Sequence, residues 1–276
     1  MTGHQAGAGH GKSGRTMTTE HGDERDLGRS LRLLWGDRTR PPRGRPPALD
    51  LGRIVAAAVE VADELAVTEG LEALSMRSIA NRLGIGTMSL YRYVPGKSEL
   101  LDLMLDHVVE PHERDVLDGL GWREILSADA HGHWRLCLDH PWYPFVDQSR
   151  PLLGPNSLRG LDQLIGALRP FGPDDRSLMM VIGVQYDYVN GAARGHINER
   201  RAVARTGVTN EEFWAEQAPT LESALRGGAF PTMADLDPHA FDFSQEQLFE
   251  FGLSRLHEGF ASVFDGPAGQ GRAGAG

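Results

Sequence analysis

Apolar residues recur with helical spacing along most of the chain, and no stretch alternates with the period of two that marks a strand. Near the N-terminus, the apolar positions of a short amphipathic helix are Leu27, Leu31, Leu34 and Trp35. A longer helix is predicted from about Leu51 to Leu65, after Asp50, which is a good N-cap residue. The pattern therefore predicts an all-α fold.

Between residues 75 and 97 the pattern predicts two short helices joined by a tight turn. Ser75 can cap the first helix, and Gly84 suits the left-handed conformation in which helices often end. The buried positions of the first helix are predicted at Met76, Ile79, Ala80 and Leu83. The second helix is predicted from Thr87 to about Tyr93. This is the outline of a helix-turn-helix unit.

The second helix of this pair carries small polar and aromatic residues on its outer face. A helix that protrudes with free N-terminal side chains can enter the major groove of DNA. The candidate base contacts are Thr87, Met88 and Ser89. The candidate phosphate contacts are Tyr91, Tyr93 and Lys97. The plainer alternative is a small helical hairpin that happens to expose two tyrosines.

The rest of the chain also predicts helices. A linking helix is expected from Glu99 to Val109, and further helices at about 122–138, 156–168 and 174–199. The final helix carries an apolar seam at Phe249, Leu253, Leu256, Phe260 and Phe264. Capping boxes are predicted at Thr209 with Glu212 and at Ser244 with Gln247.

Composition narrows the class of protein. The chain has 276 residues, of which 40% are hydrophobic, and no run approaches the roughly 20 apolar residues of a membrane span. The N-terminus lacks the apolar segment of a secretory signal. The single cysteine, Cys137, excludes an internal disulfide and a cysteine-based zinc site. We therefore expect a cytoplasmic protein with no membrane partner.

The net charge of -10 is unevenly distributed. Residues 1–109 contain 14 Lys/Arg and 14 Asp/Glu, whereas residues 110–276 contain 14 and 24. This division favours two modules with different partners, although a plain acidic globule with uneven loops is the alternative.

The segment from Asp37 to Pro47 is rich in proline and arginine, and we expect it to be extended. Its arginines are Arg38, Arg40, Arg43 and Arg45. Such an arm can follow a phosphate backbone or enter a minor groove, or it can be a solvated linker. Residues 1–22 are predicted to be a disordered tail, 23–47 a short helix with this arm, and 266–276 a flexible tail.

Residues 51–109 resemble the DNA-binding domain of the TetR family of transcriptional regulators. The similarity lies in the run LSMRSIANRLGIGTMSLYRYVPGKSELLDLML, from Leu74 to Leu105. Its signature residues are Leu90, Tyr91, Tyr93, Val94 and Lys97, followed by Leu100 and Leu101. The resemblance implies base contacts at Arg77, Thr87, Met88 and Ser89, and phosphate contacts at Tyr91, Tyr93 and Lys97. Met88 and Ser89 stand where the tetracycline repressor has Pro and Thr, so we expect a different operator.

The C-terminal part is similar, more loosely, to the tetracycline-repressor type of ligand-binding domain. The landmarks are Trp122, His140-Pro141, Arg150-Pro151, Gly191 and the phrase EEFWAEQAPTLESAL at Glu211–Leu225. The resemblance implies a helix-turn-helix domain at 48–109, with its linking helix, and a ligand-binding and dimerisation domain at 110–265. It also implies a homodimer interface of helices at about 174–199 and 245–264.

The family's pocket positions fall on this chain at Val109, Asp129, His133, Val146, Gln163, Met179 and Tyr186. We add Cys137, one turn beyond His133. Each of these residues alone is also compatible with ordinary core packing. Asp129 stands where the tetracycline repressor has an amide and His133 where it has an aromatic ring, so tetracycline does not follow as the ligand.

Catalytic motifs are not apparent in the sequence. It contains no nucleophile elbow, phosphate-binding glycine loop or dinucleotide fingerprint, and no histidine pair has the spacing of a hydrolytic zinc site. We expect no metal, no cofactor and no enzymatic activity. The predicted function is a repressor that a small-molecule effector releases from a palindromic DNA operator. The alternative is a helical small-molecule-binding protein or enzyme whose N-terminal hairpin does not bind DNA.

Overall fold

The computed structural model describes residues 27–36, 49–109 and 117–265, and within these ranges the chain forms helices and no strands. The helices are α1 (Leu27–Trp35), α2 (Leu51–Ala66), α3 (Met76–Leu83), α4 (Thr87–Tyr91), α5 (Lys97–Val108), α6 (Trp122–Asp139), α7 (Pro155–Leu168), α8 (Asp175–Thr206), α9 (Asn210–Arg226), α10 (Pro231–Ala234) and α11 (Gln245–Phe264). Short 3-10 turns lie at Leu71–Ala73, Tyr143–Phe145 and Arg169–Phe171. The predicted all-α class is confirmed.

Helices α2 to α5 form what we call the reading head, residues 49–109. Ser75 caps α3 in a capping box with Ser78, and Gly84 ends that helix at φ 67°. Arg82 of α3 forms ion pairs with Glu60 and Glu64 of α2, which fixes the two helices against each other. The turn that angles α4 away from α3 is therefore built as the sequence predicts.

Helix α4 is shorter than predicted and ends at Tyr91 rather than near Tyr93. The N–H groups of Tyr93 and Val94 both bond to the Leu90 carbonyl, at 2.9 and 3.1 Å, which closes the helix in a tight last turn. Pro95 follows, and a proline disfavours helical geometry in the residue before it.

Helix α1 packs against the linking helix α5, but through a different face from the one predicted. Ser30 and Leu34 are buried, whereas Leu27 and Leu31 are exposed. The Ser30 hydroxyl donates a buried hydrogen bond of 2.8 Å to the Asp102 carboxylate. Because this polar contact sets the orientation of the helix, an apolar stripe alone did not identify the buried face.

The C-terminal domain, residues 117–265, which the sequence analysis predicts to bind an effector and which we therefore call the effector domain, is built on α6, α8 and α11. Four of the five predicted seam residues of α11 are buried, and they face this chain's own α6 and α8. Phe249, for example, stacks on Trp134 with ring centroids 4.3 Å apart. Helix α8 continues to Thr206, beyond the predicted residue 199, and Gly207 ends it at φ 71°.

Helices α9 and α10 form an arm on the surface of the chain. Neither helix contains a buried residue, and the arm exposes half of Phe213 and Trp214. The two predicted capping boxes, at Thr209 with Glu212 and at Ser244 with Gln247, are both confirmed.

Several predictions fall outside the described residues. They concern the tail at 1–22, the arginines of the 37–47 segment and the tail at 266–276. Among the residues that the structure describes, no helix is long and apolar enough to cross a membrane.

Candidate DNA-reading head and effector site

The first turn of α4 presents side chains away from the head. Met88 is 78% exposed, while Leu90 and Val94 are completely buried beneath the helix. Thr87 and Ser89 flank Met88 and are half-buried. This division leaves one face of α4 free and anchors the other in the core, as a helix that enters a groove of DNA requires.

The other predicted DNA contacts surround this helix. Tyr91 and Tyr93 are 42% and 37% exposed, and Arg77 is exposed on the first turn of α3. Arg92, between the two tyrosines, is also exposed. Sequence reasoning missed Arg92, although its place between two outward-facing tyrosines was a usable signal.

Lys97 occupies a different environment from the other candidates. Its ammonium group donates hydrogen bonds to the carbonyl oxygens of Leu71, at 3.0 Å, and Glu72, at 3.4 Å. Partial burial lowers the pKa of Lys97. Lys97 therefore ties the start of α5 to the turn before α3, and its phosphate contact stays a prediction.

The reading head has little positive charge of its own. Residues 49–109 contain five Lys/Arg and nine Asp/Glu, a net charge of 5 - 9 = -4. DNA affinity depends on cations placed near phosphates, so the few exposed arginines matter more than the overall charge.

The interior of the effector domain holds a polar cluster, which we define as His133, Cys137, Tyr143, Gln148, Tyr186 and Asn190. Asn190 is its centre. The Asn190 side-chain oxygen lies 3.2 Å from His133 Nε2 and 3.8 Å from Cys137 Sγ. The Asn190 amide group donates a hydrogen bond to the Tyr186 carbonyl at 3.1 Å.

Two tyrosines complete the polar cluster. The hydroxyl groups of Tyr143 and Tyr186 are 3.4 Å apart, and Tyr186 donates a hydrogen bond to the Gln148 side chain. The His133 ring meets both tyrosines edge-on, with centroid distances of 4.5 Å to Tyr186 and 5.8 Å to Tyr143.

Burial keeps the titratable members of this cluster uncharged at neutral pH. Desolvation lowers the pKa of His133 and raises the pKa of Cys137 to about 12. It also raises the pKa values of Tyr143 and Tyr186. The cluster therefore offers neutral donors and acceptors beside aromatic ring faces.

The predicted pocket residues fall into separate groups. His133, Cys137 and Tyr186 meet in the polar cluster, whereas Asp129 accepts a hydrogen bond from Gln185, whose side-chain oxygen lies 3.0 Å from His257. The remaining positions lie at the end of α5 (Val109), after the Tyr143–Phe145 turn (Val146), on α7 (Gln163) and on the surface of α8 (Met179).

Gln163 has an unusual feature for a partly buried side chain. Its oxygen, Oε1, is buried and accepts no hydrogen bond. The same side chain borders a surface groove of about 700 Å³ that runs along α7. Buried polar atoms almost always have a partner, so this oxygen is a candidate acceptor for a ligand.

The sequence did not identify Asn190, Tyr143 or Gln148 as members of the cluster. Asn190 had a usable signal, because it lies one turn after Tyr186 on the same predicted helix. Tyr143 and Gln148 lie in the loop after α6, and their placement depends on tertiary packing that periodicity does not report.

An exposed recognition helix joined to a helical domain with a buried polar interior defines a helix-turn-helix transcriptional regulator. Two family descriptions match the chain: bacterial regulatory proteins of the tetR family over residues 58–104, and the tetracyclin repressor-like C-terminal domain over residues 117–264. The chain belongs to the TetR family. It is thus a DNA-binding transcriptional regulator and not an enzyme.

Individual relatives agree with this assignment. The HTH-type transcriptional repressor DrrR1 of Streptomyces coeruleorubidus is 47% identical over 253 residues, which cover 90% of this chain and 91% of that protein. A similar solved structure is ActR of Streptomyces coelicolor, in complex with actinorhodin. It is 28% identical with a TM-score of 0.61, and the match covers 78% of this chain and 97% of that one.

Proposed function

We propose that the chain is a homodimeric repressor that leaves a palindromic operator when a flat, hydroxylated aromatic molecule binds its effector domain. It acts in the cytoplasm, where the chromosome is. The observation that carries this proposal is the polar cluster. A helical core does not need six interconnected polar groups, whereas a ligand can exchange with their hydrogen bonds.

The chemistry of the cluster supports this class of effector. Its titratable groups are neutral, so they favour an uncharged or weakly acidic molecule over a strongly ionic one. The edge-on rings of His133, Tyr143 and Tyr186 suit contact with an aromatic ligand. Apart from the cluster, the Gln163 oxygen on the groove along α7 accepts no hydrogen bond within the protein and could accept one from a phenolic hydroxyl. ActR, a structural neighbour, was solved in complex with actinorhodin.

Exposed apolar surface supports the homodimer. Large apolar side chains are exposed on the two helices of the predicted interface: Met180 and Val184 on α8, and Leu248 and Phe251 on α11. On the same helices a Cβ atom added to Gly183, Gly191 or Gly259 would meet nothing within 4 Å. Glycine weakens a helix by about 1 kcal/mol relative to alanine, so glycines without an internal packing role suit close approach of a second copy. The exposed arm of α9 and α10 would add to the same contact.

In the DNA complex, Thr87, Met88 and Ser89 would contact base edges. Phosphates would be contacted by Tyr91, Tyr93 and, after release from its carbonyl partners, Lys97. Arg77 would add a base contact beside α4. Two such heads, related by two-fold symmetry, would bind half-sites about one helical turn apart.

Selection of genomic fragments with the purified protein would test this function and supply an operator. We expect a palindromic site whose affinity falls with salt concentration. Ser89→Ala should change base preference, whereas Tyr91→Phe should weaken binding to all sequences alike. Ser149→Ala, at an exposed serine in the loop before α7, is the matched control. If Ser89→Ala has the same base preference as this control, the assignment of α4 as the base-contacting helix is contradicted.

Actinorhodin is the first effector probe. We expect Tyr186→Phe, which removes a hydroxyl group from the polar cluster, to weaken its binding, and its release of operator DNA, while operator affinity without the probe is unchanged. The control is Asp118→Asn, an exposed carboxylate outside the cluster. Release of DNA from Tyr186→Phe at the wild-type concentration of actinorhodin would contradict the role of the cluster.

A further inference from the structure

Residues 140–146, which we call the strap, connect α6 to the loop before α7 and touch both domains. Successive N–H to carbonyl bonds from Tyr143 to His140, Phe145 to Trp142 and Val146 to Tyr143 hold the strap in a compact turn. It supplies Tyr143 to the polar cluster and Val146 to the family's pocket positions. Its other contacts are with the reading head.

Asp63 of α2 is the strap's acceptor in the head. The Trp142 indole N–H donates to Asp63 Oδ1 at 2.7 Å, and His140 Nδ1 lies 3.0 and 3.1 Å from the two carboxylate oxygens. Trp142 is completely buried, so its indole N–H needs an acceptor within the protein. Asp63 meets that need across the boundary between the domains.

A second contact runs beside the first. Arg201 of α8 donates hydrogen bonds to the carbonyl of Ala66, the last residue of α2, at 2.7 Å and to the Pro141 carbonyl of the strap at 3.3 Å. Its guanidinium carbon also lies 4.1 Å from the Phe145 ring centroid. The end of α2 is therefore held to both the strap and α8.

Helix α2 transmits this position to the DNA-contacting helices. Glu60 and Glu64, on either side of Asp63 in sequence, hold Arg82 of α3. Helix α3 in turn sets the turn into α4 through Gly84. A movement of the strap relative to α8 would thus rotate α2 together with α3 and α4.

We propose that Asp63 is a positioning residue through which the effector domain sets the orientation of the reading head. The inference rests on the proposed function, because orientation matters when two heads must match two half-sites. In this arrangement a ligand that displaces Tyr143 moves Trp142, the next residue, and with it the hydrogen bond to Asp63. Asp63 lies outside both the candidate DNA contacts and the polar cluster.

The experiment measures how strictly each variant requires the native half-site spacing. The selected operator is lengthened and shortened at its centre by single base pairs, and affinities are compared with that for an isolated half-site. For the wild type we expect one preferred spacing. For Asp63→Ala and Trp142→Phe we expect the preference to fall by about tenfold, within the usual range of coupling between sites, with half-site affinity unchanged.

Matched variants separate positioning from general damage. Asp139→Ala removes an exposed carboxylate from α6 beside His140, and Arg200→Ala removes the exposed arginine next to Arg201; both should keep the wild-type preference. Asp63→Asn retains an acceptor oxygen for Trp142 and should keep most of the spacing preference. Should Asp63→Ala fail to fold, His140→Ala and Arg201→Ala test the same joint against the same controls.

The outcomes are distinct. A wild type without a preferred spacing would refute the dimeric operator reader, and this inference with it. A wild type with a clear preference that Asp63→Ala and Trp142→Phe retain would overturn the role of Asp63 alone. If half-site affinity falls together with the spacing preference, the contact is only structural, and the proposed role of Asp63 is overturned.

Discussion

Asp106 joins the end of the linking helix α5 to the start of α7, and its replacement tests this joint quantitatively. The carboxylate is buried, and Oδ1 accepts hydrogen bonds from the Ser157 N–H and hydroxyl, both at 2.9 Å, and from the Asn156 N–H at 3.1 Å. The N-cap residue of α7, Gly154, has no side chain that could cap the helix, and Asp106 bonds to the first-turn N–H groups in its place. We predict that Asp106→Ala destabilises the chain.

The magnitude follows from what is lost. Removal of a helix cap costs about 1 kcal/mol, and a buried N–H left without a partner costs about 1–3 kcal/mol. Because water can replace part of the lost bonding, we expect a total of about 3 kcal/mol. For a chain of this size that lowers the melting temperature by about 6–12 °C.

Gly154 makes the test more specific. A Cβ atom at this position would lie 2.2 Å from Asp106 Cγ, although its φ of -80° suits any residue. Gly154→Ala should therefore cost about 1–3 kcal/mol in the wild type through overpacking alone. In the Asp106→Ala background the obstructing carboxylate is absent, so the same substitution should cost much less.

The assay is thermal unfolding of the four proteins of this double-mutant cycle at one fixed protein concentration, because the proposed dimerisation would make melting concentration-dependent. Asp162→Ala, which removes an exposed carboxylate from α7, is the control and should change stability by less than about 0.5 kcal/mol. An Asp106→Ala effect no larger than that of the control, or strict additivity with Gly154→Ala, would refute the reasoning.

Three further outcomes are expected. Because burial raises the pKa of Cys137 to about 12, iodoacetamide should not alkylate it in the folded protein near pH 8 but should do so in urea; rapid labelling without urea would contradict this. Burial also lowers the pKa values of His133 and His257, so the unfolded chain binds more protons below about pH 6.5. The free energy of unfolding should therefore fall from about pH 7 to 5, and less so in His257→Gln; equal slopes in urea titrations would count against it. Phe249→Ala removes the ring stacked on Trp134 and should cost about 3–5 kcal/mol, also by urea titration, with a loss below 1 kcal/mol inconsistent with this packing.

The reading head could be predicted from the sequence because its determinants are local. Ser75, Gly84 and the inward Leu90 lie within one short stretch, and each specifies a backbone conformation or a buried face by itself. The same holds for the capping boxes of α9 and α11. Spacing also located most helices to within a few residues.

The polar cluster was predicted only in part, because its members are distant in sequence. His133 and Tyr186 were candidates, but the network that joins them depends on Asn190 and on Tyr143 from the loop after α6. The resemblance to other regulators also predicts Asp129 in the pocket; in the structure it accepts a hydrogen bond from Gln185, outside the polar cluster. Periodicity shows which face of a helix is buried, but it does not show which polar groups will meet there.

The interaction of Ser30 with Asp102 has a practical consequence for work on this protein. Helix α1 lies outside both matched family segments, which begin at residue 58, yet it covers the linking helix, and its Trp35 indole donates a hydrogen bond to the Leu153 carbonyl. A protein shortened to the family boundaries would expose a buried carboxylate on the element that joins head to body. DNA release measured on such a protein would reflect the lost contact between α1 and α5. A shortened protein intended for experiments should therefore begin before Leu27.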